Sequence, residues 1–328
     1  MIDLAVLTLA AFVLDLLVGD PAYRLHPIRL IGRWINTLEA WLRRAGLDGK
    51  AGGCILAAAV TVTAVGAFFL LSSLAGLIHP WAALLFHLYV IYSCLALGDL
   101  FRHIRPILRS LEAEDIPGAR SALSRVVGRD VKELDRWGIG RAAVETLAEN
   151  FVDGFLSPLF WLLLGGTAAK VTGLPVPVTA VCAILVFKSV STLDSMVGYH
   201  DARYHQFGWA GARSDDAMNF VPARLSIPLL FLGAAISGLH PADGIRVALR
   251  DRLKHHSPNA GHAESFTAGA LGVRLGGDTS YGGVQKRKPW LGNGPIMVDI
   301  PHVMATATLL RRSALIGMLV MLCPLFFL

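Results

Sequence analysis

The segment GCILAAAVTVTAVGAFFLLSSLAGLI, residues 53–78, decides the fold. It carries no charged side chain, and it exceeds the roughly 20 apolar residues that an α-helix needs to cross the hydrocarbon of a bilayer. His79 and Pro80 then turn the chain, and a second uncharged apolar run follows at residues 81–97. The two runs predict a transmembrane hairpin of two helices with a short, uncharged tip.

The composition extends this prediction to the whole chain. Of its 328 residues, 54% are hydrophobic and 16% are charged, whereas soluble domains have about 45–50% apolar and about 25% charged residues. We therefore predict an all-α, polytopic helical membrane protein. The net charge of +6 fits Arg-rich loops that face an anionic leaflet, and no zinc-finger spacing or base-stacking platform indicates a nucleic-acid partner. Further apolar runs lie at residues 1–18, 155–169, 176–197 and 313–328.

Two polar segments interrupt the apolar runs, at residues 99–150 and 240–312. The positive-inside rule places both in the cytoplasm, because both contain many Lys and Arg residues. We predict that the first forms two or three short helices, broken at Pro117 and Gly128. The simplest organisation is one membrane domain over residues 1–328 with these two helical or loop excursions.

Two other segments are predicted to lie beside the bilayer rather than across it. Ile28, Ile31 and Ile35 recur at helical spacing among arginines, which is typical of an amphipathic helix at the membrane interface. The apolar segment 226–239 has only about 14 residues, which is short for a span. We expect it to be re-entrant or interfacial, so that both polar segments stay on one side.

A row of charged side chains precedes the third apolar run. Arg141, Glu145, Glu149 and Asp153 are spaced by four, so they share one face of a predicted helix that ends at Asp153-Gly154. Unpaired carboxylates are costly next to an apolar segment, which favours a Mg²⁺-binding role. The alternative is an Arg–Glu ladder on a helix surface, worth roughly a few tenths of a kcal/mol.

A second charged group follows the run at residues 176–187. Lys188 and Asp194 are six positions apart, so a salt bridge within one helix explains them poorly. A phosphate-binding lysine with a metal-binding aspartate is one interpretation, and a lysine that extends to the interface is the other. Arg213, Asp215 and Asp216 repeat the combination of cation and carboxylates, with an ordinary solvated loop as the alternative.

The second polar segment contains a glycine-rich stretch. Ser257, Asn259 and Gly261 lie at the start of a helix predicted to begin near Ala260, where free backbone N–H groups would form an anion cradle. Flexible-loop glycines are the alternative. The chain has no P-loop and no dinucleotide-binding fingerprint, so a nucleotide must be held in another way.

The cysteines stand singly in apolar runs and indicate neither disulfides nor zinc.

Seven separated blocks together resemble one family, the membrane-bound cobalamin-biosynthesis proteins CobD/CbiB, which are adenosylcobinamide-phosphate synthases. Ser191 and Val131 depart from the family, which tends to have Asn and Thr there. The blocks occur in the family's order over most of the chain: GDP and HPIRLIGRWI (19–35), VGRD (127–130), RAAVETLAENFVDGFLSPLFW (141–161), GG (165–166), KSVSTLDSMVGY (188–199), FGWAGARSDDAMNFVPARL (207–225), and SPNAGHAESFTAGALGVRLGG with YGG (257–283).

The resemblance implies a carbon–nitrogen ligase in the cytoplasmic (inner) membrane, with its active site facing the cytoplasm. The implied reaction joins adenosylcobyric acid to (R)-1-aminopropan-2-ol or its O-phosphate, with ATP and Mg²⁺. A carboxylate is a poor electrophile at neutral pH, so such a ligase would first convert it to an acyl phosphate, which the amine then attacks. This chemistry needs metal-binding carboxylates, cations for the phosphates and a base.

The resemblance also implies roles for individual residues. Metal binding is assigned to Glu145, Glu149, Asp194, Asp215 and Asp216. Substrate or phosphate binding is assigned to Arg129, Arg141, Arg213, Ser257, Asn259 and Gly261. Catalytic roles are assigned to Lys188 and Asp194, with His26 or His262 as the base, although His26 before Pro27 is also typical of a structural turn histidine.

Two other classes of protein are alternative interpretations of the sequence. A regulatory membrane protein similar to the AmpE-like proteins would keep the scaffold without the chemistry. A transporter would need a polar path across the bilayer, whereas the polar residues here gather at one face. The predicted partners are the corrinoid, the aminoalcohol and the lipid bilayer; other membrane enzymes of the pathway or a second copy of the chain are candidates.

Overall fold

The computed structural model describes residues 2–19, 21, 23–199 and 201–327, so Asp20 of the GDP block lies outside it. The helices are α1 (Ile2–Val18), α2 (Pro27–Arg44), α3 (Lys50–Ile78), α4 (Pro80–Cys94), α5 (Leu97–Glu112), α6 (Ile116–Leu123), α7 (Arg136–Phe151), α8 (Ser157–Thr172), α9 (Val176–Val197), α10 (Trp209–Ile236), α11 (Pro241–Asp251), α12 (Ala260–Leu271) and α13 (Ile300–Phe327). The short strands are β1 (Leu275–Gly276), β2 (Thr279–Tyr281), β3 (Val284–Lys286) and β4 (Trp290–Leu291).

The prediction of a helical, multi-pass membrane protein is confirmed. Within the described ranges, 6 helical segments are long and apolar enough to cross a membrane. The hairpin predicted at residues 53–97 is formed by α3 and α4. Its turn is compact because the Nδ1 of His79 accepts the N–H of Trp81 at 3.2 Å and Pro80 occupies the start of α4, where its missing N–H is not needed.

The chain divides into two compact units. Unit 1 comprises Met1–Ala96, Ser157–Met218 and Met321–Leu328, and unit 2 comprises Leu97–Leu156 and Asn219–Val320. The single membrane domain expected from the sequence stays a prediction.

In unit 1, the predicted amphipathic helix is present as α2. Its apolar side chains Ile31 and Ile35 are buried in one cluster with Leu56 of α3 and Leu193 of α9. The indole N–H of Trp34 donates to the hydroxyl of Thr63, also on α3, at 2.9 Å. Protein therefore covers much of the apolar face that the sequence assigns to the membrane interface.

In unit 2, the polar segment 99–150 folds as predicted into short helices with breaks near Pro117 and Gly128. Pro117 lies in the first turn of α6, and Gly128 lies between α6 and α7. Both helices begin at aspartates that accept backbone N–H groups. Asp115 accepts from Gly118 at 2.9 Å, and Asp135 accepts from Gly138 at 2.6 Å, which satisfies N–H groups that would otherwise lack a partner.

The predicted helix end at Asp153-Gly154 is wrong. A π-helical turn, Val152–Leu156, joins α7 to α8, so that Arg136–Thr172 is one continuous helical segment. A π turn inserts an additional residue and shifts the helical phase. Asp153 lies within this π turn, so its spacing of four from Glu149 no longer defines a shared α-helical face.

The prediction of a short apolar segment at residues 226–239 is also wrong. This segment is the second half of α10, a helix of 28 residues that contains Pro222 and Pro228. Likewise, the apolar run that begins at Ser313 is the second half of α13. In α10 the charged residues of the first turns hide the start of the helix, and in α13 Arg311 and Arg312 interrupt the apolar pattern. A proline inside a helix can bend it without ending it.

The two polar segments meet in unit 2. Asp130 accepts the hydroxyl of Ser280 at 2.7 Å and the N–H of Gly283 at 2.8 Å. The Nε of Arg136 lies 2.9 Å from the Oδ1 of Asp299. These contacts bring the two polar segments together, and their position relative to the membrane stays a prediction. The contact includes two antiparallel ribbons, β1 with β4 and β2 with β3, which the sequence does not reveal.

Candidate functional site

Three glutamates come together where α7 and α12 pack against each other in unit 2. Glu145 and Glu149 lie on α7 and Glu264 lies on α12. The side chains of Glu145 and Glu264 are only 2% and 4% exposed, whereas Glu149 retains accessible surface. The three carboxylates interact electrostatically, so the site concentrates negative charge in a largely buried place. We call Glu145, Glu149, Glu264, Arg129, Lys288 and His255 the glutamate cluster.

Glu145 holds Arg129. One carboxylate oxygen of Glu145 binds the guanidinium of Arg129, and the other accepts the N–H of Gly276 at 2.7 Å. Burial lowers the pKa of Arg129, but the charge and the hydrogen bond of Glu145 outweigh burial and raise it. Arg129, predicted as a phosphate ligand, is thus a fixed cation whose position depends on Glu145.

Glu264 is the acidic centre of the cluster. Burial raises the pKa of Glu264 well above its usual value, and the charges of Glu145 and Glu149 raise it further. The charges of Lys288 and Arg129 act in the opposite direction without cancelling the effect. A positively charged ligand would therefore relieve the repulsion among these carboxylates.

His255 faces Glu264 with a defined tautomer. The Nδ1 of His255 accepts the backbone N–H of Ser257 at 3.0 Å, so the neutral ring carries its proton on Nε2. This Nε2 lies 3.8 Å from the Oε1 of Glu264 and makes no hydrogen bond within the described part of the chain. Burial, assisted by the charge of Lys288, lowers the pKa of His255 to about 4. His255 is therefore a neutral N–H donor at physiological pH.

Lys288 is the second cation of the cluster. It lies in the irregular segment between β3 and β4, and its charge acts on all three glutamates and on His255. Among residues 2–19, 21, 23–199 and 201–327, no carboxylate lies within 4.0 Å of its ammonium. The ammonium is near enough to influence the cluster and is available to an anionic ligand.

Asp130 anchors the hairpin of β2 and β3. The hydrogen bonds from Gly283 and Ser280 lower the pKa of the Asp130 carboxyl. Adjacent residues of the VGRD block thus have separate tasks, since Arg129 binds Glu145 while Asp130 fixes the segment that leads to Lys288.

The residues predicted for an anion cradle have structural partners. The hydroxyl of Ser257 accepts the N–H groups of Asn259 at 3.2 Å and Ala260 at 3.3 Å, so two of the N–H groups that the cradle requires are already bound. Gly261 permits close packing, because a Cβ atom there would lie 2.3 Å from the carbonyl oxygen of Arg252.

The contacts of Arg141 lie outside the glutamate cluster. Its Nη1 donates to the carbonyl of Ile296 at 2.6 Å, and its guanidinium lies 5.7 Å from the ring centroid of Trp290. These contacts give Arg141 a part in holding the segment that precedes α13.

The two histidines proposed as bases are both buried. The Nδ1 of His262 lies 3.2 Å from the carbonyl oxygen of Asn259, which places the proton on Nδ1 and leaves a lone pair on Nε2. Burial, together with the charges of Arg224 and Arg252, lowers the pKa of His262 to about 4. His26 lies before α2, with its ring 5.2 Å from that of Tyr23 in an edge-to-face contact.

The other predicted residues belong to unit 1. Lys188 is half-buried within α9, and its carbonyl accepts the hydroxyl of Thr192 at 2.6 Å. The Asp194 carboxylate lies over Gly198, where a Cβ atom would be 2.0 Å from Oδ1. On α10, the exposed Arg213 and the half-buried Asp216 lie 3.5 Å apart, and an ion pair so accessible to solvent contributes little stability.

Mg²⁺ binding by the carboxylates of unit 2 would require an ion that is shared with a substrate. Within the described residues, no group of three or more His, Cys, Asp or Glu is arranged to hold a metal. Mg²⁺ usually takes one or two carboxylates and completes its shell with water and substrate phosphates. Glu149 and Glu264 could supply these oxygens, whereas both oxygens of Glu145 are engaged. Asp194, Asp215 and Asp216 stay predictions.

Four residues of this region were absent from the predicted site: Asp130, His255, Glu264 and Lys288. Glu264 had a signal, because a carboxylate among the small and apolar residues of AGHAESFTAGAL is expected to be buried and functional. No sequence signal indicated Lys288, because it follows Lys286 and Arg287 in a segment whose charges resemble ordinary surface charges.

The fold and the site define a multi-pass helical membrane protein with a buried cluster of glutamates and cations. The family model "CobD/Cbib protein" matches residues 8–310, and the chain belongs to this family of cobalamin biosynthesis. The protein "Cobalamin biosynthesis protein CobD" of Pelobacter propionicus is 43% identical over 297 residues, covering 90% of this chain and 87% of that protein. "Cobalamin biosynthesis protein CbiB" of Salmonella arizonae is 37% identical over 311 residues, covering 94% and 93%. No solved structure matches the chain significantly.

Proposed function

We propose that the protein is an ATP- and Mg²⁺-dependent amide ligase that joins adenosylcobyric acid to (R)-1-aminopropan-2-ol or its O-phosphate. Membership of the CobD/CbiB family supports a role at this stage of corrinoid assembly. The observation that carries the proposal is the glutamate cluster, in which Glu149 and Glu264 lie near the ammonium of Lys288. Carboxylates for a metal and a cation for phosphate are the two elements that carboxylate activation requires.

The two cations have different parts in this proposal. Arg129 is held by Glu145, so it supplies a fixed positive field and keeps its charge at every physiological pH. Lys288 is free of ion pairs with the described residues and would bind the phosphate oxygens directly. Glu149 and Glu264 would hold Mg²⁺, which supplies charge neutralisation at the transferred phosphate when it is bound.

The two histidines would have different parts: His255 would donate a hydrogen bond, and His262 would accept a proton. The Nε2–H of His255 is suited to donate to a carbonyl or phosphate oxygen, because its tautomer is set by Ser257. His262 has the opposite polarity, with a lone pair on Nε2. The incoming ammonium must lose a proton before it attacks. With a pKa of about 4, His262 is a weak base for this step at neutral pH.

The proposed location is the cytoplasmic membrane, with the glutamate cluster facing the cytoplasm. Both polar segments contribute to unit 2 and contact each other through Asp130 and Ser280. Their content of Lys and Arg favours the cytoplasmic side under the positive-inside rule.

A reconstituted assay tests the proposal. Purified protein in nanodiscs would be incubated with adenosylcobyric acid, aminopropanol phosphate, ATP and Mg²⁺, and the amide product would be detected by mass spectrometry. We expect product only when all four are present. Product that forms without ATP would contradict an ATP-dependent ligase. Corrinoid that binds and is never converted would indicate a carrier role or a missing partner, and neither product nor binding would favour the AmpE-like regulatory alternative.

A further inference from the structure

We propose that an open recess in unit 1 is a binding site for a phosphate group. The recess has a volume of about 480 Å³ and is formed by α2 and the residues before it. It shares no residue with the glutamate cluster, so it does not depend on the proposed ligase activity. We call it the arginine recess, and it is lined by Tyr23, Arg24, Arg29, Gly32, Arg33 and Asn36.

The walls of the arginine recess are fixed by hydrogen bonds. The hydroxyl of Tyr23 donates to that of Tyr89 on α4 at 2.9 Å, and Tyr89 donates to the carbonyl of Leu25 at 3.3 Å. The guanidinium of Arg33 donates to the carbonyl of Arg24. The segment that carries Arg24 is thus attached both to α4 and to α2, and the recess is organised before any ligand arrives.

The recess is strongly cationic. Arg24, Arg29 and Arg33 are exposed, and no carboxylate lies within 4.0 Å of any of their guanidinium nitrogens in the described part of the chain. Like charges around one recess repel each other, and an anion removes this cost. A single surface arginine is common, but three that line one recess and have no carboxylate partner among the described residues form a candidate site.

Phosphate is the anion that this geometry fits. A guanidinium presents a planar fork of N–H donors that matches two oxygens of a phosphate. No described carboxylate occupies these donors in the recess. The amide of Asn36 adds a neutral donor at the exposed edge of α2. The recess would therefore bind a phosphomonoester or the phosphate of a lipid headgroup.

The same helix carries features of a membrane interface. Trp34 and Trp41 are 40% and 72% exposed on α2, and exposed tryptophans are enriched where lipid headgroups meet hydrocarbon. A lipid headgroup is one source of the phosphate, and a soluble phosphate compound is the other. Binding experiments with the two kinds of probe distinguish these sources.

The experiment compares the wild type with R24Q, R29Q and the double variant, all in phosphatidylcholine nanodiscs. In one arm, methyl phosphate is titrated and binding is followed by ³¹P line broadening. In the other arm, the nanodiscs contain phosphatidic acid, and bound lipid is counted by native mass spectrometry. The matched control is R44Q, which removes an exposed charge from the same helix outside the recess.

We expect each substitution in the recess to weaken phosphate binding roughly tenfold, since a hydrogen bond to a charged group is worth about 1.5–3 kcal/mol. R44Q should bind within about twofold of the wild type, because its charge lies outside the recess. Binding of methyl phosphate identifies a soluble phosphate as the ligand, and retention of phosphatidic acid alone identifies a headgroup. The proposal is overturned if neither probe binds, or if R44Q weakens binding as much as R24Q and R29Q do.

Discussion

Arg129 and Glu145 form a buried ion pair whose geometry is completed by the backbone. The side chains are 10% and 2% exposed, and the second carboxylate oxygen of Glu145 accepts the N–H of Gly276. The pair joins the VGRD block and α7 to β1, whose Gly276 is 131 positions from Glu145. It therefore stabilises the fold of unit 2 and positions a cation in the glutamate cluster.

Removal of one member of this pair should destabilise the protein. In E145Q the charge of Arg129 stays buried without its partner, which typically costs about 3–5 kcal/mol. The double variant R129M/E145Q should recover part of this loss, because no buried charge is left unpaired. Thermal unfolding in detergent measures both. An E145Q protein with the melting temperature of the wild type would show that the pair is not structurally important.

Lys288 should be required for catalysis and not for folding. Its ammonium makes no ion pair with a described residue, but its charge offsets part of the repulsion among the glutamates, so K288Q should stay folded and unfold slightly below the temperature of the wild type. Amide formation should fall by roughly 10²-fold, as expected when a preorganised contact to the transferring phosphate is lost. The control is K286Q, which removes a neighbouring exposed lysine of β3. Equal losses in the two variants would exclude a specific role for Lys288.

Ionised Glu264 should lower the folding stability of the protein at pH 8, although the proposed ligase activity requires this carboxylate. Burial and the charges of Glu145 and Glu149 raise its pKa in the folded protein. Protonation of Glu264 therefore contributes to folding stability, and this contribution is fully present below the unfolded pKa of about 4.3. This contribution is lost as the pH rises through the folded pKa. E264Q should therefore melt at a higher temperature than the wild type at pH 8, and the difference should vanish near pH 4.

The same E264Q protein should have lost ligase activity, because the amide cannot replace a metal-binding carboxylate. An exposed glutamate at the end of α5 provides the control, E112Q, which should change neither property. A melting temperature of E264Q that is lower than that of the wild type at pH 8 would contradict the repulsion within the cluster.

Much of the fold and part of the site follow from sequence patterns. The hairpin of α3 and α4, the breaks around α6 and the start of α12 at Ala260 were predictable because caps, prolines and apolar runs act locally. Glu145 and Glu149 were predictable for the same reason, since a spacing of four defines a helix face. The prediction of the bounds of α10 was wrong, because Arg213, Asp215 and Asp216 begin a helix whose apolar part starts later.

The missed residues depend on contacts between distant segments. Glu145 meets Gly276 across 131 positions, and Asp130 meets Gly283 across 153. No periodicity in one segment encodes such a pairing. The position of Lys288 near the glutamates follows from how the hairpin of β2 and β3 is anchored, which is a property of tertiary packing.

Asp251 should make unit 2 sensitive to acid. Its side chain is fully buried and binds the Nε of Arg250 at 2.7 Å, the Nζ of Lys254 at 2.6 Å and the N–H of Gly292 at 2.9 Å. Burial opposes its charge, but these partners outweigh burial and lower the pKa of Asp251. Its stabilising contribution is therefore complete above the unfolded pKa of about 3.9 and is lost as the pH falls through the lower, folded value.

The variant D251N should remove this contribution at every pH. Hydrogen exchange of the segment around Gly292, corrected for intrinsic rates, should show reduced protection at pH 7 in D251N. The difference between D251N and the wild type should shrink as the pH falls below about 3.9. Unchanged protection in D251N at pH 7 would show that Asp251 does not hold this segment.

The most direct measurement is single-turnover amide formation by the wild type, E149Q and E112Q in nanodiscs, over a range of Mg²⁺ concentrations. Glu149 is the exposed residue among the three glutamates and a proposed metal ligand, so its loss should weaken the Mg²⁺ dependence and slow product formation by roughly 10²-fold. E112Q should behave as the wild type. If E149Q forms product at the rate and Mg²⁺ dependence of the wild type, the glutamate cluster is not the site of the ligase reaction.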